Sequence, residues 1–248
     1  KRQIAERVRD ATGRELRIGG DVKFSLLPRI ELAAHDVTFA NAPGSASRDM
    51  VKLARLELQV QMWPLLQGNI AVDRFVLVDP QVVLEIDKQG RGNWAFGETT
   101  ASRGKPVPAE SKGAGPAGIQ LGDVRLVNGA VSFADARSGA KHRLEKINVR
   151  LSLPDVDGPF AAKGEATWNA QRVELDIGAA KARALMTGQA TAINAAVTSE
   201  PITLSFKGTA TAADPAKVDG EVDLKVPSVR RLAAWLGQPI EAPGRKPS

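Results

Sequence analysis

Polar and apolar residues alternate along most of the chain with a period of two. In residues 55–62, the apolar residues Leu56, Leu58 and Val60 alternate with charged or amide side chains. Successive side chains of a β-strand point to opposite faces of its sheet, so this pattern predicts strands with one apolar and one polar face. Because antiparallel sheets commonly expose one face to water, the pattern favours an antiparallel sheet.

The same alternation recurs in both halves of the chain. It predicts further strands at residues 70–78, 81–87, 146–153, 160–168, 172–177, 202–207 and 218–226. Asp79-Pro80 and Asn128-Gly129 are predicted as hairpin corners, because Pro fixes φ and Asn-Gly favours a tight turn. The Ala-rich segment 179–195 indicates neither helix nor strand.

Helical spacing occurs at both ends of the chain. Apolar residues of segment 1–12 fall on one side of a helix that Gly13 ends. No capping residue precedes this helix, so we expect it to continue from a longer one upstream. A second short helix is predicted at residues 228–237, with Ser228 as its cap and Gly237 as its stop.

One hairpin-like segment occurs twice. Residues 70–84 align with residues 119–133, so that Ile70 matches Ile119 at an offset of 49 positions. This repeat indicates a repetitive β architecture. Between the copies, Pro, Gly, Ser and Ala dominate and leave little to pack. The predicted organisation is a helix at 1–14, a β unit at 15–97, a flexible linker at 98–118 and a second β unit at 119–248.

The composition excludes several classes of protein. The 248 residues include no Cys and two His, which excludes disulfide scaffolds, zinc fingers, iron–sulfur clusters and thiol nucleophiles. Aromatic residues make up 4% and include no Tyr, too few for stacking bases or sugars. The net charge of +6 is spread over alternating acidic and basic residues, which indicates a solvated face. No run reaches the about 18 apolar residues that a membrane span needs.

Three short motifs are better explained as turns or linker. Residues 113–118 match a dinucleotide fingerprint, but a linker precedes them instead of a strand. Ser138 and Lys141 have the spacing of a penicillin-recognising motif, yet the glycine between them predicts a turn. Asp155 and Asp157 resemble the start of a calcium loop whose remaining ligands are missing. The sequence therefore predicts no catalytic residue, metal or cofactor.

The apolar positions of the alternating segments form the candidate functional surface. In a closed barrel or sandwich they would form the core, whereas in an open, curled sheet they would line a trough for acyl chains. The candidate groove-lining residues are Val22, Phe24, Leu26, Ile30, Leu32, Leu56, Leu58, Val60, Leu84, Ile86, Val131, Phe133, Val149, Leu151, Val173, Leu175, Ile202, Leu204, Val222 and Leu224.

The order and spacing of short motifs resemble the N-terminal region of the AsmA family over nearly the whole chain. The motifs of the first part are Thr12-Gly13-Arg14 with Leu16 and Ile18, Gly20-Asp21-Val22, Pro28, Asp36-Val37, Asn41-Ala42-Pro43-Gly44, Leu65-Leu66-Gln67-Gly68, Asp79-Pro80 and Gly90-Arg91-Gly92-Asn93-Trp94. The second part adds Val127-Asn128-Gly129, residues 151–158 and Leu232-Ala233-Ala234-Trp235-Leu236-Gly237.

The resemblance implies a bacterial inner-membrane protein with one N-terminal anchor helix and a large periplasmic part. Relatives are regarded as bridge-like lipid-transfer proteins built from repeated β-grooves, which support phospholipid supply and outer-membrane protein assembly. We therefore expect a mainly β fold, in which repeated β-hairpin units form an antiparallel, strongly curved sheet with an open groove. The chain, which begins at Lys1, is expected to lie next to the membrane with its anchor upstream.

Phospholipid is the expected partner, bound through its acyl chains, and no enzymatic activity is expected. The basic residues Lys1, Arg2, Arg7 and Arg9 are candidates for contact with anionic headgroups, or they form an ordinary solvated helix face. An alternative function stays open, in which an exposed sheet edge accepts a strand from an outer-membrane protein precursor or another envelope protein.

Overall fold

The fold is taken from a computed structural model, in which residues 2–27, 29–95, 119–211 and 216–238 are described. The helices are α1 (Arg2–Thr12), α2 (Met62–Leu66), α3 (Ala182–Met186) and α4 (Val229–Trp235). The strands are β1 (Leu16–Ile18), β2 (Val22–Ser25), β3 (Arg29–Ala40), β4 (Asp49–Gln61), β5 (Ile70–Val78), β6 (Gln81–Ile86), β7 (Ile119–Asp135), β8 (Lys141–Leu153), β9 (Phe160–Trp168), β10 (Gln171–Ala179), β11 (Ala190–Ser199), β12 (Ile202–Thr211) and β13 (Lys217–Lys225).

The thirteen strands form one sheet that does not close into a barrel. The strand order is β1-β3-β4-β5-β7-β8-β9-β10-β11-β12-β13, with β2 paired to β3 and β6 paired to β4 and β7. The strands of both predicted β units belong to this sheet. The predicted mainly β fold, with an open sheet and a short helix towards each end of the chain, is confirmed.

The sheet is mixed, because β5 and β6 run parallel to β7. Ile70 pairs with Ile119 and Val82 with Val131, so the register has the 49-residue offset of the sequence repeat. The two copies of the repeat therefore lie side by side as parallel strands in register. A parallel pair needs a crossover connection, which the chain makes between β6 and β7. The predicted linker at 98–118 belongs to this connection and lies outside the described residues.

Four residues with a left-handed backbone cross the strands from β3 to β8, and we name this line the crease. Asp36, Asp79, Asn128 and Lys146 have φ values of 50°, 50°, 53° and 51°. The Asn128 side-chain amide donates a hydrogen bond of 2.6 Å to the Asp79 carboxylate, which joins neighbouring members of the line. A left-handed backbone costs about 1–2 kcal/mol at a residue other than Gly. Its occurrence in neighbouring strands indicates a bend that these strands share.

The crease explains why the predicted hairpin corners are wrong. The chain continues in one direction through Asp79-Pro80, since β5 and β6 both run parallel to β7. Asn128-Gly129 lies inside β7, and the Asn128 N–H donates to the Asn148 side-chain oxygen of β8 at 2.9 Å. The left-handed conformation that Asn favours thus produces a bulge within a strand instead of a reversal.

Two bulges carry β7 and β8 across the crease. Between Leu126 and Gly129, β7 has one residue more than the facing segment from Val149 to Ile147, and β8 then has the extra residue between Ile147 and Leu144. Residues five positions apart in a regular strand point to opposite faces, but one extra residue in a bulge restores them to the same face. Leu126 and Val131 of β7 therefore share a face, as do Val149 and Leu144 of β8. Bulges also bend their strands, so the crease divides that face into two panels that meet at an angle.

The ends of both terminal helices agree with the sequence prediction. Gly13 follows α1 with a φ of 71°, and its N–H donates to the carbonyl of Arg9 at 2.7 Å. The Ser228 hydroxyl accepts a hydrogen bond of 3.3 Å from the N–H of Arg231, which caps α4. The Ala-rich segment, which had no assignment, forms α3 and β11.

The buried core is small for a chain of this size. Among the described residues, no side chain is less than 2% exposed. Several buried apolar residues lie in α3, in the β8–β9 connection and in the strands beside them, namely Leu153, Val156, Ala162, Ala179, Ala182 and Ala184. The N–H of Arg183 donates to the carbonyl of Val156 at 2.8 Å and holds α3 in place. Most apolar residues of the sheet are therefore half-buried or exposed, and they do not form a sealed core.

Candidate functional site

The strand registers bring apolar side chains onto one continuous face. Residues that pair directly across neighbouring strands lie on the same face of a sheet. Leu32 pairs with Leu58, Leu58 with Phe75, Phe75 with Val124 and Val124 with Leu151. Apolar residues thus continue from β3 to β8, and we name this surface the apolar face.

The apolar face extends through the second half of the sheet. Leu175 pairs with Gly164 on one side and with Val197 on the other. Val197 then pairs with Leu204, and Leu204 with Leu224 of the edge strand β13. From β3 to β13 the main order of the sheet has ten strands, and at about 4.8 Å per strand their nine spacings make the face about 43 Å long.

A second, shorter panel of the apolar face lies beyond the crease. Val82 pairs with Val131, and Leu84 pairs with Phe133. Val131 also pairs with Leu144 of β8. Because the bulges keep these residues on the same face as Leu126 and Val149, the crease runs along the line where the two panels meet.

The predicted residues of the apolar face are accessible to solvent. The predicted groove-lining residues lie on β2 (Val22, Phe24), after β2 (Leu26), on β3 (Ile30, Leu32), β4 (Leu56, Leu58, Val60), β6 (Leu84, Ile86), β7 (Val131, Phe133), β8 (Val149, Leu151), β10 (Val173, Leu175), β12 (Ile202, Leu204) and β13 (Val222, Leu224). All twenty are half-buried or exposed, and none is buried. Leu175, near the middle of the second half, is 37% exposed. No second sheet covers this face within the described part of the chain.

Sequence reasoning missed several members of the apolar face. Phe75 and Leu77 belong to it through their pairs with Leu58 and Leu56 on β4. Their segment is apolar at four consecutive positions, so alternation gave no way to assign its faces. Val124 and Leu126 were missed although the repeat aligns them with Phe75 and Leu77, a relation that could have found them.

The opposite face of the sheet carries charged side chains that form ion pairs across neighbouring strands. The Glu57 carboxylate lies 2.7 Å from the Arg74 guanidinium, which also lies 3.7 Å from the Asp123 carboxylate. Further along the sheet, Lys163 pairs with Asp176 at 2.8 Å. Glu57 and Asp176 each sit between two apolar neighbours in their strands, so the sheet is amphipathic from β4 to β10.

A crevice of about 790 Å³ lies on the charged face between β7 and β11. Leu126, Val149 and Leu175 of the apolar face border it. Charged side chains make up about half of its lining, namely Arg125, Arg150, Lys163, Glu165, Arg172, Glu174 and Asp176. Arg172 is paired with Glu165 at 2.5 Å and with Glu174 at 3.0 Å. Most of the crevice lining is therefore polar, although the crevice also borders two predicted lipid contacts, Val149 and Leu175.

Ion pairs fix two turns at the ends of the strands. In the β7–β8 turn, hydrogen bonds from Arg137 lower the pKa of the Asp135 carboxyl to about 2. Arg183 of α3 lies 2.5 Å from the Asp157 carboxylate and lowers its pKa through a hydrogen bond. Both pairs are exposed to solvent, so they position the turns and add little to stability.

Aromatic side chains attach α4 to the sheet. The rings of Trp235 and Trp168 meet edge to face with centroids 4.7 Å apart. The Trp235 indole N–H donates to the Trp168 carbonyl at 2.9 Å. His142 continues the contact, with its ring 6.5 Å from Trp168 and 6.3 Å from Phe133. The predicted C-terminal helix thus returns from β13 to the end of β9.

The predicted membrane-surface residues belong to the region of α1. Arg7 and Arg9 are exposed on this helix. Arg2 lies in its first turn, and Lys1 lies outside the described residues. Among the described residues, none of the helices is long and apolar enough to cross a membrane, and no group of three or more acidic or His side chains could hold a metal ion.

Comparison with known families assigns the chain to one of them. The AsmA family model matches residues 1–230. The chain belongs to the AsmA family. No curated protein matches the sequence. Within the described residues, this member of the AsmA family presents an open amphipathic sheet.

Proposed function

We propose that this AsmA-family chain shields phospholipid acyl chains on its apolar face during transport from the inner to the outer membrane. The observation that supports the proposal is the accessibility of the apolar face. A sealed core would bury residues such as Leu58 and Leu151, whereas both are half-buried in a face without a covering layer in the described residues.

The energetics of lipid transfer give this face its role. A phospholipid that leaves a bilayer exposes some thirty methylenes to water, at about 0.8 kcal/mol each, for a cost on the order of 20 kcal/mol. A face about 43 Å long is roughly three times the hydrocarbon depth of one leaflet, which is about 15 Å. In this proposal the two panels form the walls of a trough, and the headgroup stays in water.

The same proposal assigns the chain to the periplasmic side of the inner membrane, with a role in outer-membrane biogenesis and no catalytic group. A lipid can move along the apolar face because the pairs from β3 to β13 leave no polar strand in its path. Shielding needs neither nucleotide nor metal on the chain itself.

Lipid uptake by matched variants tests the proposal. The chain is mixed with vesicles that contain a fluorescent phospholipid, and the lipid that co-elutes with the protein is measured. We expect Leu58→Asp and Leu151→Asp to lose most of this uptake, because each places a carboxylate among acyl chains. Gln59→Asp and Ser152→Asp change the next residue of the same strand and should bind as the parent does. Equal uptake by all four folded variants would refute the role of the apolar face.

A second candidate function is strand addition at the free edge of β13. All nine residues of β13 are exposed, and its outer edge has no partner strand among the described residues. Such an edge can pair with a strand of an outer-membrane protein precursor or another envelope protein. Mass spectrometry discriminates the two functions: co-purified phospholipid supports the trough, whereas a bound peptide without lipid supports strand addition.

A further inference from the structure

Two exposed apolar segments lie at one end of the first strands. One is the connection between β2 and β3, and the other is the helix α2 that follows β4. Their large side chains are between 43% and 76% exposed, and we name this cluster the tip: Leu26, Leu27, Trp63, Leu65 and Leu66.

Hydrogen bonds and strand pairing bring the two segments of the tip together. Arg29, which begins β3, pairs with Gln61, the last residue before α2. The Asp73 carboxylate of β5 accepts a hydrogen bond of 2.5 Å from the Gln61 amide and lies 3.5 Å from the Arg29 guanidinium. Both segments therefore leave the sheet at one fixed point, and the tip is one surface.

A comparison with α3 shows that a helix at this end of the sheet can bury its side chains, so the position of α2 does not by itself explain why its side chains are exposed. Both helices have five residues and connect neighbouring strands at the same end of the sheet. Ala182 and Ala184 of α3 are buried, and Arg183 fastens that helix to Asp157. In α2, by contrast, no residue is buried. Trp63 and Leu66 thus project into solvent, whereas the equivalent connection through α3 buries its apolar side chains.

The chemistry of the tip fits the interface of a bilayer. Residues 62–69 carry no charged side chain. At the base of the tip, Arg29 pairs with Asp73, and 56% of the Arg29 side chain is exposed and able to meet a second anion. Trp is favoured at the headgroup level, Leu in the hydrocarbon below it, and a cation beside anionic lipid headgroups. The tip has five side chains, whereas a stable protein interface uses about 20–30 residues per partner. In shallow membrane insertion, each buried side chain contributes without such a threshold.

We propose that the tip is a membrane-docking surface, which inserts Trp63 and the leucines into the outer part of a leaflet that contains anionic lipid. The tip adjoins β2, where Phe24 of the apolar face is also exposed. Docking would therefore bring the first edge of the apolar face to the membrane. The proposal goes beyond acyl-chain shielding and does not depend on it.

The absence of Cys from the chain permits a direct test with one introduced thiol. Leu66→Cys is labelled with the dye NBD, whose emission rises in an apolar environment. Val218→Cys is the matched control, since Val218 is an equally apolar residue with 64% exposure near the same end of the opposite edge strand. Each labelled full chain is mixed with vesicles of phosphatidylethanolamine and phosphatidylglycerol, and then with vesicles whose acyl chains are brominated and quench NBD on contact.

We expect a several-fold rise in emission for the Leu66→Cys protein, quenching by the brominated vesicles, and no change for the Val218→Cys protein. In vesicle flotation, the double variant Leu27→Glu/Trp63→Glu should bind about tenfold more weakly than the parent chain. The double variant Val218→Glu/Val229→Glu, which changes two other exposed apolar residues, should bind as the parent does.

Three results would overturn the docking proposal. The first is unchanged emission of the labelled Leu66→Cys protein on vesicles, and the second is equal flotation of both folded double variants. The third is a rise in emission with protein concentration alone, which would show that a second copy covers the tip. Acyl-chain shielding has a separate readout: a chain that takes up no lipid but still gives the vesicle signal would retain the docking role and lose the shielding role.

Discussion

Leu153 and Leu175 offer a quantitative test of whether the apolar face is open in solution. Both are leucines in strands of the same sheet, but Leu153 is 7% exposed, whereas Leu175 is 37% exposed on the apolar face. Truncation to Ala removes the same atoms at both sites. The difference in the free energy of unfolding therefore reports how much solvent each leucine meets in the native protein.

The expected values follow from the exposed fractions. Removing three carbons from a fully buried site costs about 2.4 kcal/mol at 0.8 kcal/mol per methylene. For Leu175→Ala, the buried fraction of about two thirds reduces this cost to about 1.5 kcal/mol. Leu153→Ala loses nearly the full amount and adds a cavity, which brings its cost to about 3 kcal/mol.

Urea denaturation followed by circular dichroism measures both costs, with the slope of each transition compared to that of the parent chain. We expect Leu153→Ala to be more destabilising than Leu175→Ala by about 1.5 kcal/mol. Equal costs of about 3 kcal/mol or more would show that Leu175 is sealed in a core, and would contradict the open face.

Three further predictions concern the turns, the crease and α4. Hydrogen bonds from Arg137 lower the pKa of Asp135, so the stability they provide is present above the unfolded pKa of 3.8 and is lost as the pH falls towards about 2. An NMR titration should show Arg137→Gln returning the pKa towards 3.8. Lys146→Gly should raise the free energy of unfolding by about 0.5–1 kcal/mol, because Gly adopts the left-handed backbone without steric cost. Trp235→Phe should lower it by about 1 kcal/mol through loss of the indole hydrogen bond.

Each of these predictions has a contradictory outcome. An unchanged Asp135 titration in the Arg137→Gln protein would mean that the ion pair does not form in solution. Destabilisation by Lys146→Gly would show that Lys146 has a role besides its backbone conformation at the crease. A Trp235→Phe protein as stable as the parent would show that α4 is held by ring contact alone.

The sequence predicted the strands well because the amphipathic alternation is strong. β9 begins and ends where alternation indicates, and β10 and β12 extend their predicted segments by only a few residues. The crease could not be predicted in the same way. An Asn with a left-handed backbone can end a strand in a hairpin turn, or it can form a bulge that changes which residues face each side of the sheet. Contacts with the neighbouring strand decide which of the two forms. Asn128 makes a bulge because Asp79 and Asn148 bind it from both sides.

The candidate site was predictable in its chemistry and only partly in its extent. Alternation identified Leu58 and Leu151 as members of one face, but only the strand registers join them through Phe75 and Val124. The tip was not predicted as a surface. Its two segments lie more than thirty residues apart in the sequence, and pairing of Arg29 with Gln61 brings them together.

Photocrosslinking along one strand tests the central claim most directly. A photoreactive amino acid is placed in turn at Gln59, Leu58, Glu57 and Leu56 of β4, and the chain is irradiated with phospholipid vesicles. The open apolar face predicts lipid adducts at Leu58 and Leu56, and none at Gln59 and Glu57. Adducts at all four positions, or at none of them in folded protein, would contradict acyl-chain binding on this face.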